Sequence, residues 1–357
     1  MPLSSKFDGL ELPASADFHV HLRDGAMMKA VAPTIRSGGC NTAYVMPNLV
    51  PPLTSASDAM AYKARLREVD PSINYLMTLY LHESITPAVV KGAKAQGIVG
   101  IKSYPAGVTT NSSSGVLSYE LFYPVFSAME QCGMVLNLHG ECPSAKNISI
   151  LNAESSFLPT LKSLHAKFPK LKIVLEHCTT KDAIEAVREC GPTVVGTITA
   201  HHLYLIIDDW ADNPFSYCKP VAKTPIDREA LIQAALDGTG KFFMGSDSAP
   251  HDISAKKGGT GKTAAGVFTQ PYVTQLVLGA FEEAIKREVI TEADVTKEIL
   301  EGFLGGFGRK FYGITDSSNE RIVLRKGAEV VQEAFKGEGV EVISFRRGQS
   351  TWSVEWK

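Results

Sequence analysis

Two histidines one residue apart stand near the start of the chain, in Asp17-Phe18-His19-Val20-His21-Leu22-Arg23-Asp24-Gly25. On a strand, alternate side chains share a face, so His19 and His21 point one way and Phe18, Val20 and Leu22 the other. Two imidazoles on one face make half of a divalent-metal site, and Arg23 and Asp24 add charge just beyond. Four more residues follow short apolar runs. They are Lys102 in Ile101-Lys102-Ser103-Tyr104-Pro105, His139 in Leu138-His139-Gly140-Glu141, His177 in Leu175-Glu176-His177-Cys178, and Asp247 in Gly245-Ser246-Asp247-Ser248-Ala249-Pro250-His251. Singly, each has an ordinary reading: a packed or solvated histidine, a surface amine, a turn-capping aspartate. As a set, four imidazoles, a carboxylate and an amine suit a pair of divalent cations. Two such ions about 3.5–4 Å apart need a bridging anion. A lysine kept neutral by burial near cations can combine with CO2 to give a carbamate, whose two oxygens reach one metal each.

These groups meet only if the fold brings the ends of their strands together. Short β-branched runs lie at 16–22, 41–47, 74–81, 98–104, 134–139, 172–177, 193–199 and 241–246, and the stretches 26–36, 57–69, 86–96, 119–131, 155–168, 181–189 and 227–236 between them can each hold a helix. Strand alternating with helix implies parallel pairing, and eight such strands predict a closed (β/α)8 TIM barrel with its chemistry at the C-terminal ends of the strands. The runs are rich in Val, Ile and Leu, as strands covered on both faces are. An open doubly wound sheet is the alternative. It usually carries a glycine-rich turn after its first strand, where this chain has His-Leu-Arg-Asp. Helices over 274–287 and 292–303 complete the outer layer. The barrel is expected to occupy 1–319, with 320–357, charged and alternating, as a small C-terminal extension packed on it.

The chain has 357 residues, 44% of them hydrophobic and 21% charged, which is ordinary for a globular protein able to bury a large core. A net charge of −2 and the lack of a basic, aromatic-interleaved stripe argue against nucleic acid or an anionic membrane as partner. No apolar run reaches signal-peptide or membrane-span length. Six cysteines without a Cys-x-x-Cys pair predict reduced thiols, and a cytoplasmic protein. Cys142 and Cys178, beside candidate ligands, read first as small buried apolar groups. Gly258-Gly259-Thr260-Gly261-Lys262-Thr263 fails the phosphate-loop pattern because its first glycine would fall at Lys256. His201 and His202 are adjacent, so on a strand they would face apart and not chelate together. Glu141 and Glu176 are candidates for orienting histidines.

With Met46-Pro47-Asn48, Lys102-Ser103-Tyr104-Pro105-Ala106 and Thr109-Thr110-Asn111-Ser112-Ser113, the His-x-His segment and the Ser-Asp-Ser-Ala-Pro-His segment resemble dihydroorotases of the shorter bacterial and fungal type, in the amidohydrolase superfamily. The resemblance runs over essentially the whole chain. It implies that His19, His21 and Asp247 bind one zinc, that His139 and His177 bind a second, and that carboxylated Lys102 bridges the two together with a hydroxide. It implies the reversible interconversion of N-carbamoyl-L-aspartate and L-dihydroorotate in de novo pyrimidine biosynthesis, without an organic cofactor and with Asp247 as general acid and base. Arg23, Asn48 and His251 are then the donors for the substrate carboxylate, Thr109 and Thr110 sit on a closing loop, and Lys219 and Ala265 make main-chain contacts. A small-molecule substrate and a homodimer follow from the same resemblance. Other readings are a hydantoinase-like or allantoinase-like enzyme, against which Arg23 and Asn48 argue, or an inactive barrel used as a scaffold. A scaffold would be expected to lose ligands, and all six are present.

Overall fold

The eight apolar runs pair in chain order in one parallel sheet of the computed structural model, which describes residue 3 and residues 7–257, 263–315 and 318–357. A short strand β1 (Glu11–Pro13) leads into the barrel strands β2 (Ser15–Val20), β3 (Cys40–Val45), β4 (Asn74–Tyr80), β5 (Gly100–Ser103), β6 (Val135–His139), β7 (Ile173–Glu176), β8 (Val194–Ile198) and β9 (Phe242–Met244). The ring closes where the end of β9 meets β2. There the Asp247 N–H donates to the His19 carbonyl at 2.8 Å and the His21 N–H to the Ser248 carbonyl at 3.0 Å. Asp17 ties the same seam, accepting from the Ser246 amide at 2.8 Å and from its hydroxyl at 2.5 Å. Helices between the strands start on local signals. Thr180 accepts from the Ala183 amide, and Thr224 and Asp227 form a reciprocal capping box with Pro225 in the first turn. Helix Lys181–Glu189 then buries Ala183, Ile184, Ala186 and Val187, the spacing of one helical face.

The barrel interior is filled by side chains below the site. Phe18, Tyr44, Leu76, Val135, Val174, Val195 and Phe243 form one cluster, plugged from below by Tyr312 of helix Phe307–Tyr312. Phe18 stacks on Tyr312 with centroids 5.1 Å apart and meets Phe243 edge-on at 5.3 Å. β5 contributes Gly100 at this level, because a Cβ there would run into the Tyr44 hydroxyl. Phe18 thus departs from the simple alternation expected for β2. The register against β3 slips between Asp17 and Val20, a bulge that turns Phe18 inward beneath His19 while Val20 packs with the outer core.

After the barrel come β10 (Arg321–Val330), β11 (Ala334–Gly337), β12 (Val340–Ile343) and β13 (Ser350–Trp356). β10 pairs antiparallel with both β13 and β1, so a strand from ahead of the barrel completes the sheet of the tail. β13 packs against helix Val273–Lys286, and the Trp356 ring lies under the Arg36 guanidinium with its indole N–H on the Arg36 carbonyl at 2.9 Å. The glycine-rich stretch 258–262 lies outside the described residues.

Candidate active site

The six candidate ligands converge at the C-terminal mouth of the barrel, all of them buried. His19, His21 and Asp247 bring their ligand atoms within 4.8 Å of one another. His177 joins this group with its ring 5.1 Å from that of His19, and His139 lies edge-on to His177 at 4.6 Å. Lys102 rises from β5 and is fully buried. Arg23, His177 and Asp247 hold φ values of 59°, 43° and 44°. Such a backbone costs a non-glycine residue about 1–3 kcal/mol and persists where the surroundings impose it, often at functional sites. No pattern in the sequence announces it.

Hydrogen bonds set the imidazoles to receive a cation. The Glu176 carboxylate accepts from His19 Nδ1 at 2.8 Å, which leaves Nε2 facing Asp247 at 3.3 Å. The Asn48 side-chain carbonyl accepts from His21 Nδ1 at 2.8 Å, and His21 Nε2 again faces Asp247, at 3.0 Å. Glu141 takes His139 Nε2 at 2.8 Å and leaves Nδ1 free. A carboxylate or amide behind a histidine fixes its tautomer and raises its basicity as a ligand. Burial pushes His21 down to about 4 and His177 well below the usual imidazole range, so both rings stay neutral at pH 7. Lys102 is pushed down to about 8 by burial, against the opposing pull of Glu176 and Asp247. Its Nζ and the Nδ1 of His177 are buried without a hydrogen-bond partner among the described residues. Unpaired buried polar atoms are costly and ask for a partner. Together with the surrounding carboxylates, they fit a pair of divalent cations and a modified lysine.

The residues expected to hold the substrate surround this centre. Arg23 donates from Nε to the Pro250 carbonyl at 3.0 Å, and its Nη2 lies 3.2 Å from His251 Nε2, which in turn stands 2.9 Å from the Ala265 carbonyl. Asn48 is already committed: beyond its bond to His21, its amide donates to the Thr110 carbonyl at 3.1 Å, while Asn111 donates to the Asn48 carbonyl at 2.9 Å. Lys219 reaches the loop with its side chain, donating from Nζ to the Val108 carbonyl at 2.7 Å. The loop bearing Thr109 and Thr110 is therefore folded in. The inner cavity against the histidines measures about 20 Å³, close to the space of one water. An open cleft of about 680 Å³ lies outside, and Thr109, Thr110, Lys219 and Ala265 border both.

Several residues fall elsewhere than sequence spacing suggests. His201 and His202 lie on a single 3-10 turn, His201–Leu203, rather than a strand, and their rings sit 4.3 Å apart. With Cys218 they form a second buried group whose ligand atoms lie within 4.8 Å of one another. Cys178 is fully buried in the core, where burial raises its thiol well above the usual range, and Cys142 is raised in the same sense. Asn137 was not among the expected residues. It accepts from the Tyr44 hydroxyl at 2.6 Å and donates to Glu176 at 2.6 Å, linking the interior plug to the carboxylate behind His19. A lone amide inside the apolar run Val-Leu-Asn-Leu was its visible sign.

No protein-family model matches the chain. The probable dihydroorotase of Schizosaccharomyces pombe is 49% identical over 352 residues, covering 98% of this chain and 99% of the relative. The crystal structure of Saccharomyces cerevisiae dihydroorotase in complex with 5-fluoroorotic acid superposes with a TM-score of 0.90 at 42% identity, covering 98% of each chain. An L-hydantoinase from Arthrobacter aurescens superposes with a TM-score of 0.75 over 97% of this chain and 87% of its own, but at 15% identity it shares the fold alone. With this identity over the full length of its relatives, on an eight-stranded barrel, the chain belongs to the dihydroorotase family of the amidohydrolase superfamily.

Proposed function

We propose that the chain interconverts N-carbamoyl-L-aspartate and L-dihydroorotate, opening or closing a cyclic amide in pyrimidine biosynthesis. The observation that carries this reading is the convergence of His19, His21, Lys102, His139, His177 and Asp247, with Lys102 Nζ and His177 Nδ1 buried and, among the described residues, without a hydrogen-bond partner, beside an Arg23–His251 pair. His19, His21 and Asp247 would hold one zinc ion and His139 and His177 the other, with Lys102 between them as its carbamate. When bound, the two ions supply Lewis acidity and lower the pKa of water.

The remaining chemistry belongs to the chain. Arg23 offers a planar pair of N–H donors for the ring carboxylate, with His251 beside it and Asn48 released from Thr110 when the loop lifts. The Lys219 and Ala265 main chains border the ring. In ring opening, water adds to the amide carbonyl carbon, and Asp247 takes its proton at a carboxylate oxygen. The C–N bond then breaks, and Asp247 delivers that proton to the departing ring nitrogen; ring closure runs the same steps backwards. A cavity of about 20 Å³ admits no six-membered ring, so the loop of Thr109 and Thr110 opens for substrate and closes to exclude water. From the family resemblance, the enzyme works as a homodimer in the cytoplasm. The barrel proper is assigned to 1–319 and its appendix to 320–357.

The deciding experiment assays ring opening of dihydroorotate, hydantoin and allantoin beside a metal count. Fast hydantoin cleavage without dihydroorotate turnover would replace the substrate, and a metal-free, inert chain would leave a scaffold.

A further inference from the structure

Helix Ile253–Lys256 ends on a lysine that is only 5% exposed. Its ammonium donates to three main-chain carbonyls, of Tyr217 at 2.9 Å, Ala264 at 2.9 Å and Gly266 at 2.7 Å. An ammonium has three N–H bonds, so none is left over. The acceptors lie on two separate stretches, and both border the inner cavity: Lys219 follows Tyr217 by two residues, and Ala265 stands between the other two acceptors. The stretches are also stitched to each other by the Gly266 N–H, which donates to the Tyr217 carbonyl at 3.0 Å. Along 264–266 successive carbonyls face Lys256, His251 and Lys256 again, which fixes the peptide planes on both sides of Ala265. Gly266 sits at φ 148°, where a Cβ would strike the Ala249 backbone, so the close approach of the stretch to Ala249 requires glycine.

We propose that Lys256 is a positioning residue that fixes the main chain at Lys219 and Ala265 for binding the substrate ring. It touches neither the metal ligands nor the reacting atoms and acts through the two backbones it joins. This rests on the dihydroorotase reading of the site.

The test uses the full-length, metal-loaded protein. Lys256→Met keeps the length of the side chain and removes the donors. Lys256→Arg keeps the charge but replaces a three-directional ammonium by a planar fork. For Lys256→Met in dihydroorotate ring opening, KM should rise about tenfold or more while kcat falls by less than about threefold, the signature of lost binding rather than lost chemistry. Metal content should match the parent. Lys256→Arg should fall between the two. Amide hydrogen exchange at Gly266, which needs no substrate, should be about tenfold faster in Lys256→Met. A KM within about twofold of the parent, or unchanged exchange at Gly266, overturns the proposal. If Lys256→Met does not fold, Lys256→Arg is held to the same two readouts. Absence of dihydroorotate turnover in the unmodified protein would remove the substrate reading instead, and exchange at Gly266 would still decide whether Lys256 holds the two stretches.

Discussion

Among the described residues two buried groups each set a pair of histidines beside a third ligand-type side chain, and they are built for different ends. His19 and His21 face Asp247, and their outer nitrogens are held by Glu176 and Asn48. Each ring therefore turns its Nε2 toward the Asp247 carboxylate, the face on which a cation would sit. His201 and His202 face Cys218, with no carboxylate in the group. The His202 ring is spent on both sides, on the Thr199 hydroxyl at 2.8 Å and the Pro220 carbonyl at 3.0 Å. Burial keeps the Cys218 thiol protonated by pushing it up to about 12. Crowding of ligand-type residues is thus the lesser requirement for a cation. A carboxylate, with ring nitrogens held toward it, is what separates the first group from the second.

The largest expected effect tests the first group at its centre. Lys102→Ala should bring turnover to background, because it removes the lysine whose proposed carbamate would bridge the two cations. Substantial activity in that variant without an added short carboxylic acid would show that the site works without a lysine bridge. Asp247→Asn comes next, with a fall in kcat of about 10²–10⁴-fold and an intact fold, since proton transfer is lost while size is kept. Thermal melting and steady-state rates check both halves, and a near-normal rate would move the acid–base role to another residue. One step further out, Glu176→Gln should weaken metal binding about 10–100-fold by exchanging the carboxylate behind His19 for a neutral amide. Titration with a competing chelator reads this directly. Unchanged affinity would mean that Asn137 and Thr197, which also bond Glu176, hold the ring by shape alone.

Residue order made the barrel legible because its signals are local: β-branched runs, threonine caps and a proline in the first turn of helix Pro225–Ala235. The candidate ligands stand out for the same reason, each ending such a run. What stayed hidden depends on distant registers. Phe18 turns inward because β2 slips against β3, and spacing within β2 alone says the opposite. Asn48 looks like a free donor until Thr110, 62 residues on, folds over it. The side chain of Lys219 spans 111 residues in sequence to reach Val108. The His201–His202 turn has a nearer cause. Thr199 accepts the His202 N–H at 3.0 Å and ends the strand early, a serine/threonine turn that competes with the extended backbone.

The smallest expected effect sharpens the contrast between the two groups. Both ring nitrogens of His201 are buried without a hydrogen-bond partner among the described residues, and burial pushes the ring down to about 4, so it stays neutral. A neutral ring that has no hydrogen-bond partner among the described residues, in a group without a carboxylate, contributes packing and little else. Replacing an unpaired buried polar group by an apolar one of similar size is close to neutral, so His201→Leu should change unfolding free energy by less than about 1 kcal/mol, in either direction. Metal content per chain should stay at that of the parent. Denaturant melts and elemental analysis measure the two quantities on one preparation. Loss of one metal per chain in His201→Leu would mean that lone pairs alone suffice here, and that the thiol of Cys218 ionises to take the place of the missing carboxylate.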